Sequence, residues 1–108
     1  MKQDFGITEK GRKILTEIFG RYPEVSKVLV FGSRAKGTFG ERSDLDMVVM
    51  DPIDRRTLGS LWMDINESDL PFTVDLQIWN AIRNANLKEH INRVGKIIYS
   101  KSPESVLE

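Results

Sequence analysis

Gly32 and Ser33 close an apolar run, and ten residues later Asp44 and Asp46 flank a single leucine. Glycine lets a backbone approach a bulky anion closely, because it has no Cβ. Serine ahead of a short helical turn can cap it, leaving N–H groups and the positive helix end directed at that anion. If Asp44 and Asp46 lie on a strand they share one face, ~6–7 Å apart along the chain. Two hard oxygen ligands at that spacing suit Mg²⁺, which keeps waters and shares phosphate oxygens. Asp75 sits in a later alternating run, on its polar face, and a carboxylate inside a strand is costly unless paired or metal-bound. Should that strand neighbour the second one, Asp75 completes a carboxylate triad able to hold two metal ions. One would lower the pKa of an acceptor hydroxyl and the other would neutralise a leaving pyrophosphate. The chemistry is nucleotidyl transfer from a nucleoside triphosphate, with Arg34, Lys36 and Arg42 as nearby positive charge for the phosphates.

The elements that must position these groups follow from periodicity. Ile14, Leu15, Ile18, Phe19 and Tyr22 form one helical stripe between Thr8, a candidate N-cap, and Pro23, which stops the helix. Val25 to Phe31 is a β-rich run whose last four residues are apolar, as in a strand buried on both faces. Gly32 to Ser43 is a loop with a short helical turn from Ser33, and Leu45 to Met50 is a second buried strand stopped by Asp51-Pro52. A helix is expected from Asp54 to Ser68, with Leu58, Leu61, Trp62 and Ile65 inward. Phe72 to Trp79 alternates cleanly, with Phe72, Val74, Leu76 and Ile78 on one face and Thr73, Asp75, Gln77 and Trp79 on the other. A last helix is expected over much of Ala81 to Val94, ended by Gly95, followed by an edge strand from Lys96 to Ser100. The result is a small α+β domain with helices packed on a mixed sheet.

Composition sets the outer bounds. The 108 residues fit a single domain, residues 1–108, with an ordinary soluble mix of 40% hydrophobic and 30% charged side chains. Sixteen basic and sixteen acidic side chains cancel, so the basic excess of a protein that grips duplex nucleic acid is missing. With no cysteine there is no thiolate metal site or thiol nucleophile. No run approaches the ~18 apolar residues of a membrane span, and the expected location is the cytoplasm. Lys36-Gly37-Thr38 does not form a P-loop, because the order is wrong and no glycine precedes at the required offset.

Other conspicuous residues have plain readings. His90, among Lys88, Glu89 and Asn92, is expected on an exposed helix face, and Trp62 in the core. Trp79 is either core under a helix or part of a partner surface. Phe39 either stacks on a base or anchors its own turn. Lys10, Arg12 and Lys13 form a solvated helix face.

The run GSRAKGTFGERSDLDMVV, Gly32 to Val49, resembles the signature of the DNA-polymerase-β-like nucleotidyltransferase superfamily: Gly-Ser, ten residues, then Asp-x-Asp. Within it the chain looks like the minimal nucleotidyltransferases, or MNT proteins, and VDLQIW (Val74 to Trp79) resembles their third-carboxylate strand. The resemblance covers nearly the whole chain and implies the polymerase-β-like palm fold. It implies that Gly32 and Ser33 bind the triphosphate of ATP and that Asp44 and Asp46 ligate two magnesium ions. Asp75 would ligate the catalytic one and help deprotonate the acceptor. Larger members carry an extra helical region for the acceptor; MNT proteins are instead typically paired with an all-helical HEPN protein. Many such pairs look like toxin–antitoxin systems, of a type VII-like kind, in which the MNT member silences a HEPN ribonuclease by moving AMP from ATP onto a tyrosine. Two rivals stay open. One is the catalytic subunit of a two-component antibiotic adenylyltransferase; the other is a non-enzymatic antitoxin acting by occlusion, which would not need the full carboxylate set.

Overall fold

Helix α1, Glu9–Gly20, begins where the sequence supplies a hydroxyl: the Thr8 side chain accepts a hydrogen bond from the Gly11 N–H at 3.0 Å. The computed structural model describes residues 5–38, 40 and 43–101. Strand β1 (Lys27–Phe31) is followed by the one-turn helix α2 (Ser33–Lys36), β2 (Leu45–Val49) and α3 (Arg55–Asn66). Then come β3 (Val74–Ile78), a 3-10 turn (Trp79–Ala81), α4 (Ala85–Val94) and β4 (Lys96–Ser100). The strands form one sheet in the order β3-β2-β1-β4. β1 is antiparallel to β2 and β4, whereas β2 and β3 run parallel. The fold is the mixed α+β arrangement that the element order implied.

Strand alternation sorts the side chains into two cores. Val28, Val30, Leu45, Met47, Val49, Val74, Leu76 and Ile78 face α1 and α3, where Leu15, Ile18, Phe19, Leu61 and Ile65 meet them. On the opposite face Phe31, Val48, Ile82 and Ile91 form a smaller core under α4, rimmed by Leu29, Trp79, Leu87 and Val94. The two central strands are therefore covered on both sides, which explains their unbroken apolar runs. Between α1 and α3, the Tyr22 hydroxyl donates to Asp64 Oδ2 at 2.6 Å. Burial and that bond push the Tyr22 pKa up to about 12.

One expectation needs correction. Trp62 is not core: it is 44% exposed, and its indole N–H donates to the Val74 carbonyl at 3.1 Å. The ring lies over the margin of the sheet, where its polar edge finds a partner. The last helix covers Ala85–Val94, most of the expected stretch, and starts there because the Asn84 side chain accepts from the Asn86 and Leu87 amides at 2.9 and 3.2 Å. The stretch before it is the 3-10 turn, and Ile82 is buried from outside the helix.

Asp51 closes the β1–β2 pair. Its carboxylate accepts from the Ser26 amide (2.9 Å), the Ser26 hydroxyl (2.6 Å) and the Lys27 amide (3.1 Å). Burial alone would raise this carboxyl, but those hydrogen bonds outweigh it and hold it below the usual carboxylate value. A depressed folded-state value means that the stabilisation is full above the unfolded pKa and fades as pH falls through the folded one. Asp51→Ala is expected to cost about 1–2 kcal/mol at neutral pH, after discounting for solvent. In urea titrations the gap between variant and wild type should shrink on acidification, and an equal gap at pH 7 and pH 3 would contradict this account.

Candidate active site

The end of β1 and the start of β2 meet at one point. Gly32 has φ +77° and ψ −155°, a backbone state that L side chains rarely adopt. A Cβ placed there would stand 2.5 Å from Asp46 Oδ2. This position thus excludes a side chain twice over, by conformation and by the carboxylate in front of it. Gly32 also serves as N-cap of α2, accepting from the Lys36 amide at 3.1 Å, and Gly37 ends the turn at φ +82°. Ser33 is the first residue of α2, and the N-cap position expected of it is taken by Gly32. The residue is half-buried beside Gly32.

Asp46 lies in β2, in register with Phe31 of β1 and with Asp75 of β3. Neighbouring strands stand roughly 4.8 Å apart, so Asp46 and Asp75 are direct neighbours with side chains on the same face. Asp44 precedes β2 by one residue and is exposed; Asp75 is exposed on the edge strand. The Asp46 carboxyl is raised, first by burial and then by the charges of Asp75 and Asp44, with His90 acting against them. Asp46 therefore stands within electrostatic reach of both Asp75 and Asp44.

Among the described residues no group of three acidic or histidine side chains stands close enough together to hold a metal ion. Crowded carboxylates without a closed cage fit a hard cation such as Mg²⁺, which takes part of its shell from water and phosphate oxygens. A cation between Asp46 and Asp75 would also remove the repulsion that raises Asp46.

Other candidate residues fare differently. Arg34, expected near the phosphates, is 3% exposed. Its Nε and Nη2 donate to the Ser43 carbonyl at 3.0 and 2.8 Å, and Nη1 donates to the Phe5 carbonyl at 2.8 Å. The guanidinium also stacks 4.2 Å above the Phe72 ring. Burial lowers its pKa, with Asp44 acting in the other direction. Arg34 braces the loop from within, and the charge of Asp44 acts on its guanidinium. Lys36 is exposed at the end of α2. Arg42 and Phe39 lie outside the described residues.

His90 is the residue that sequence reasoning misplaced. It is only partly exposed, its ring is edge-on to Phe31 at 6.3 Å between centroids, and its charge is felt at Asp46. A signal was available: Leu87, His90, Ile91 and Val94 share the i, i+3, i+4, i+7 stripe of α4.

Comparison with known proteins places this geometry. Residues 13–104 match the polymerase β nucleotidyltransferase family. A Haemophilus influenzae protein named as a probable protein adenylyltransferase, MntA, is 38% identical over 76 residues. That alignment covers 68% of this chain and 66% of the relative, just under two thirds of its length. Among solved structures, a toxin–antitoxin with AMP-PNP superposes with a TM-score of 0.69 at 20% identity, covering 89% of this chain and 78% of the other. The complex of a tri-AMPylated Shewanella oneidensis HEPN toxin with its MNT antitoxin matches with a TM-score of 0.64 at 17% identity, covering 92% and 77%. At those identities the structural matches establish the fold.

Two outcomes follow from the site's physics. Without divalent cation, Asp46→Asn removes a repelled charge and is expected to raise Tm slightly; millimolar Mg²⁺ should then stabilise wild type but not the variant. Equal Mg²⁺ shifts in thermal unfolding would remove Asp46 from the cation site. Arg34→Lys leaves backbone carbonyls short of donors and is expected to cost about 2–3 kcal/mol, with little change in apparent affinity for ATP. A large affinity loss at unchanged stability would return Arg34 to the phosphates.

Proposed function

The chain belongs to the polymerase β nucleotidyltransferase family, and we propose that it transfers AMP from ATP to a tyrosine hydroxyl of a HEPN-type partner protein. The observation that carries this reading is the pairing of Asp46 with Asp75 across β2 and β3, beside a glycine that admits no side chain. A protein acceptor is supported by what the chain resembles: a relative named as a probable protein adenylyltransferase, and a structural neighbour that is an MNT antitoxin in complex with a tri-AMPylated HEPN toxin.

In this reading the open backbone at Gly32 lets the triphosphate approach, and the Ser33 hydroxyl donates to a phosphate oxygen. Asp44, Asp46 and Asp75 are the residues that would hold Mg²⁺, which when bound lowers the pKa of the acceptor hydroxyl and neutralises the departing pyrophosphate. Asp75, on the exposed edge, accepts the proton of the acceptor hydroxyl. The acceptor oxygen then bonds to the α-phosphorus, the bond from that phosphorus to the bridging oxygen breaks, and pyrophosphate leaves with the electron pair. His90, edge-on to Phe31, stands near enough to Asp46 to act on its charge.

The test is transfer of label from α-labelled ATP, with Mg²⁺, to a purified HEPN-type protein. Wild type is expected to label the partner on tyrosine, and Asp44→Asn, Asp46→Asn and Asp75→Asn are each expected to lose about 10²-fold or more in rate. Absence of label from the partner, or wild-type rates in all three variants, would overturn the proposal. Label on an aminoglycoside in place of the partner would assign the acceptor to a small molecule.

A further inference from the structure

Phe31, Asp46 and Asp75 are register partners in a row across β1, β2 and β3, and directly paired residues project from one face of a sheet. α4 packs on that same face, where Phe31 and Val48 meet Ile91, with Leu87 and Val94 at the rim. Whatever Asp46 and Asp75 hold therefore lies on the α4 side, at the end of the sheet where Phe31 runs into Gly32. The inward stripe of α4 is Leu87, His90, Ile91 and Val94. Three of these are aliphatic and cover the sheet; His90 is the polar one.

His90 stands where the aliphatic cover ends. Its ring lies edge-on to buried Phe31, with centroids 6.3 Å apart and planes at 82°, so it rests on the residue that immediately precedes Gly32. The side chain is partly exposed and acts on the charge of Asp46. An aliphatic residue here would bury more apolar surface; the histidine brings a ring N–H to the border of the carboxylate row instead. An imidazole keeps at least one N–H in either protonation state. Position along the row decides what that group can reach. The row runs from Phe31, beside Gly32 and α2, to Asp75 on the outer strand. In an in-line displacement the leaving group departs opposite the incoming oxygen. With the triphosphate at Gly32 and Ser33 and the acceptor hydroxyl at Asp75, His90 belongs to the leaving-group end.

We propose that His90 binds the nucleotide's triphosphate, its imidazole N–H donating to a non-bridging oxygen of the pyrophosphate that departs. The inference rests on the nucleotidyl-transfer reading above and adds to it a residue outside the Gly-Ser and Asp-x-Asp pattern. A hydrogen bond to an anionic oxygen is about twice as strong as one between neutral groups. As the acceptor oxygen bonds to the α-phosphorus, the bond to the bridging oxygen breaks and its electron pair goes to pyrophosphate. A donor already aimed at that group stabilises the charge it gains. Packing and donation are separable at this position. Phenylalanine keeps a ring against Phe31 and loses the N–H; glutamine keeps an N–H and loses the ring.

Calorimetric titration with a non-hydrolysable ATP analogue in Mg²⁺, and competition of AMP against it, test the proposal. His90→Phe is expected to weaken the analogue about tenfold or more, with AMP affinity and Tm as in wild type. His90→Gln is expected to stay within about threefold of wild type for the analogue. The chain has a single histidine, so its imidazole NMR signals belong to His90. At constant Mg²⁺ the ring N–H should become protected from exchange with water on adding the analogue, and not on adding AMP. His90→Phe that binds the analogue as wild type does, His90→Gln no better than His90→Phe, AMP weakened as much as the analogue, or an unprotected ring N–H in the complex would each reduce His90 to packing on Phe31. The transferase reading survives any of these provided that wild type labels the partner. Wild type that binds no analogue in Mg²⁺ would overturn both.

Discussion

Gly32 and Asp46 occupy a space that a single methyl group would fill. The left-handed backbone at Gly32 and the Asp46 oxygen that a Cβ would meet at 2.5 Å are two sides of one constraint. Because no side chain intervenes, the end of β1 comes directly against a carboxylate on β2, and α2 starts from the same residue. Local conformation, sheet packing and the shape of the site therefore share one atom's worth of room. The arrangement is not restful: Asp46 is partly buried and sits among like charges that raise its carboxyl. In the domain's stability the cluster stands on the unfavourable side, and the apolar cores on the two faces of the sheet must outweigh it.

A buried cation keeps that cluster in place. Arg34 draws together three parts of the chain that are distant in sequence: Phe5 ahead of α1, Ser43 just before Asp44, and Phe72 ahead of β3. A guanidinium suits this task, since its planar fork can donate several bonds in fixed directions while its face lies on a ring. The loop between Gly32 and Asp44 is thus held at both ends, by a glycine turn at one and by Arg34 at the other. Positioning of the carboxylates on β2 and β3 is delegated to a residue that is itself remote from solvent.

How far this could be read from the sequence depends on which interactions are local. Gly-Ser and Asp-x-Asp at fixed spacing, and Asp75 in strict alternation, are properties of single strands and their ends, and the geometry places them together. Thr8 and Pro23 marked the limits of the first helix through capping and backbone restriction, again local effects. Arg34 was misread because its partners lie 29 residues upstream and 9 downstream, and a loop arginine next to a Gly-Ser turn looks the same whether it faces phosphate or carbonyls. Trp62 fell on an apolar helical stripe, yet a stripe says nothing of where the sheet beneath it ends. His90 was hidden by charged sequence neighbours that point elsewhere, since residues adjacent in a helix do not share a face.

Register joins the structural and chemical halves of this fold. β2 and β3 run parallel, so the ends that carry Asp46 and Asp75 lie at one end of the sheet, and antiparallel β1 delivers Gly32 to the same end. Slipping β3 by one residue would turn Asp75 into the core beneath α1 and α3 and bring Leu76 out toward solvent. The apolar set Val74, Leu76 and Ile78 forbids that slip, because each of the three is buried on the α3 side. Carboxylates in that strand need no attraction of their own to be brought together, and they have none, being of like charge. Hydrophobic alternation aligns them, and the electrostatic penalty is confined to the end of the sheet where a cation and a triphosphate can relieve it.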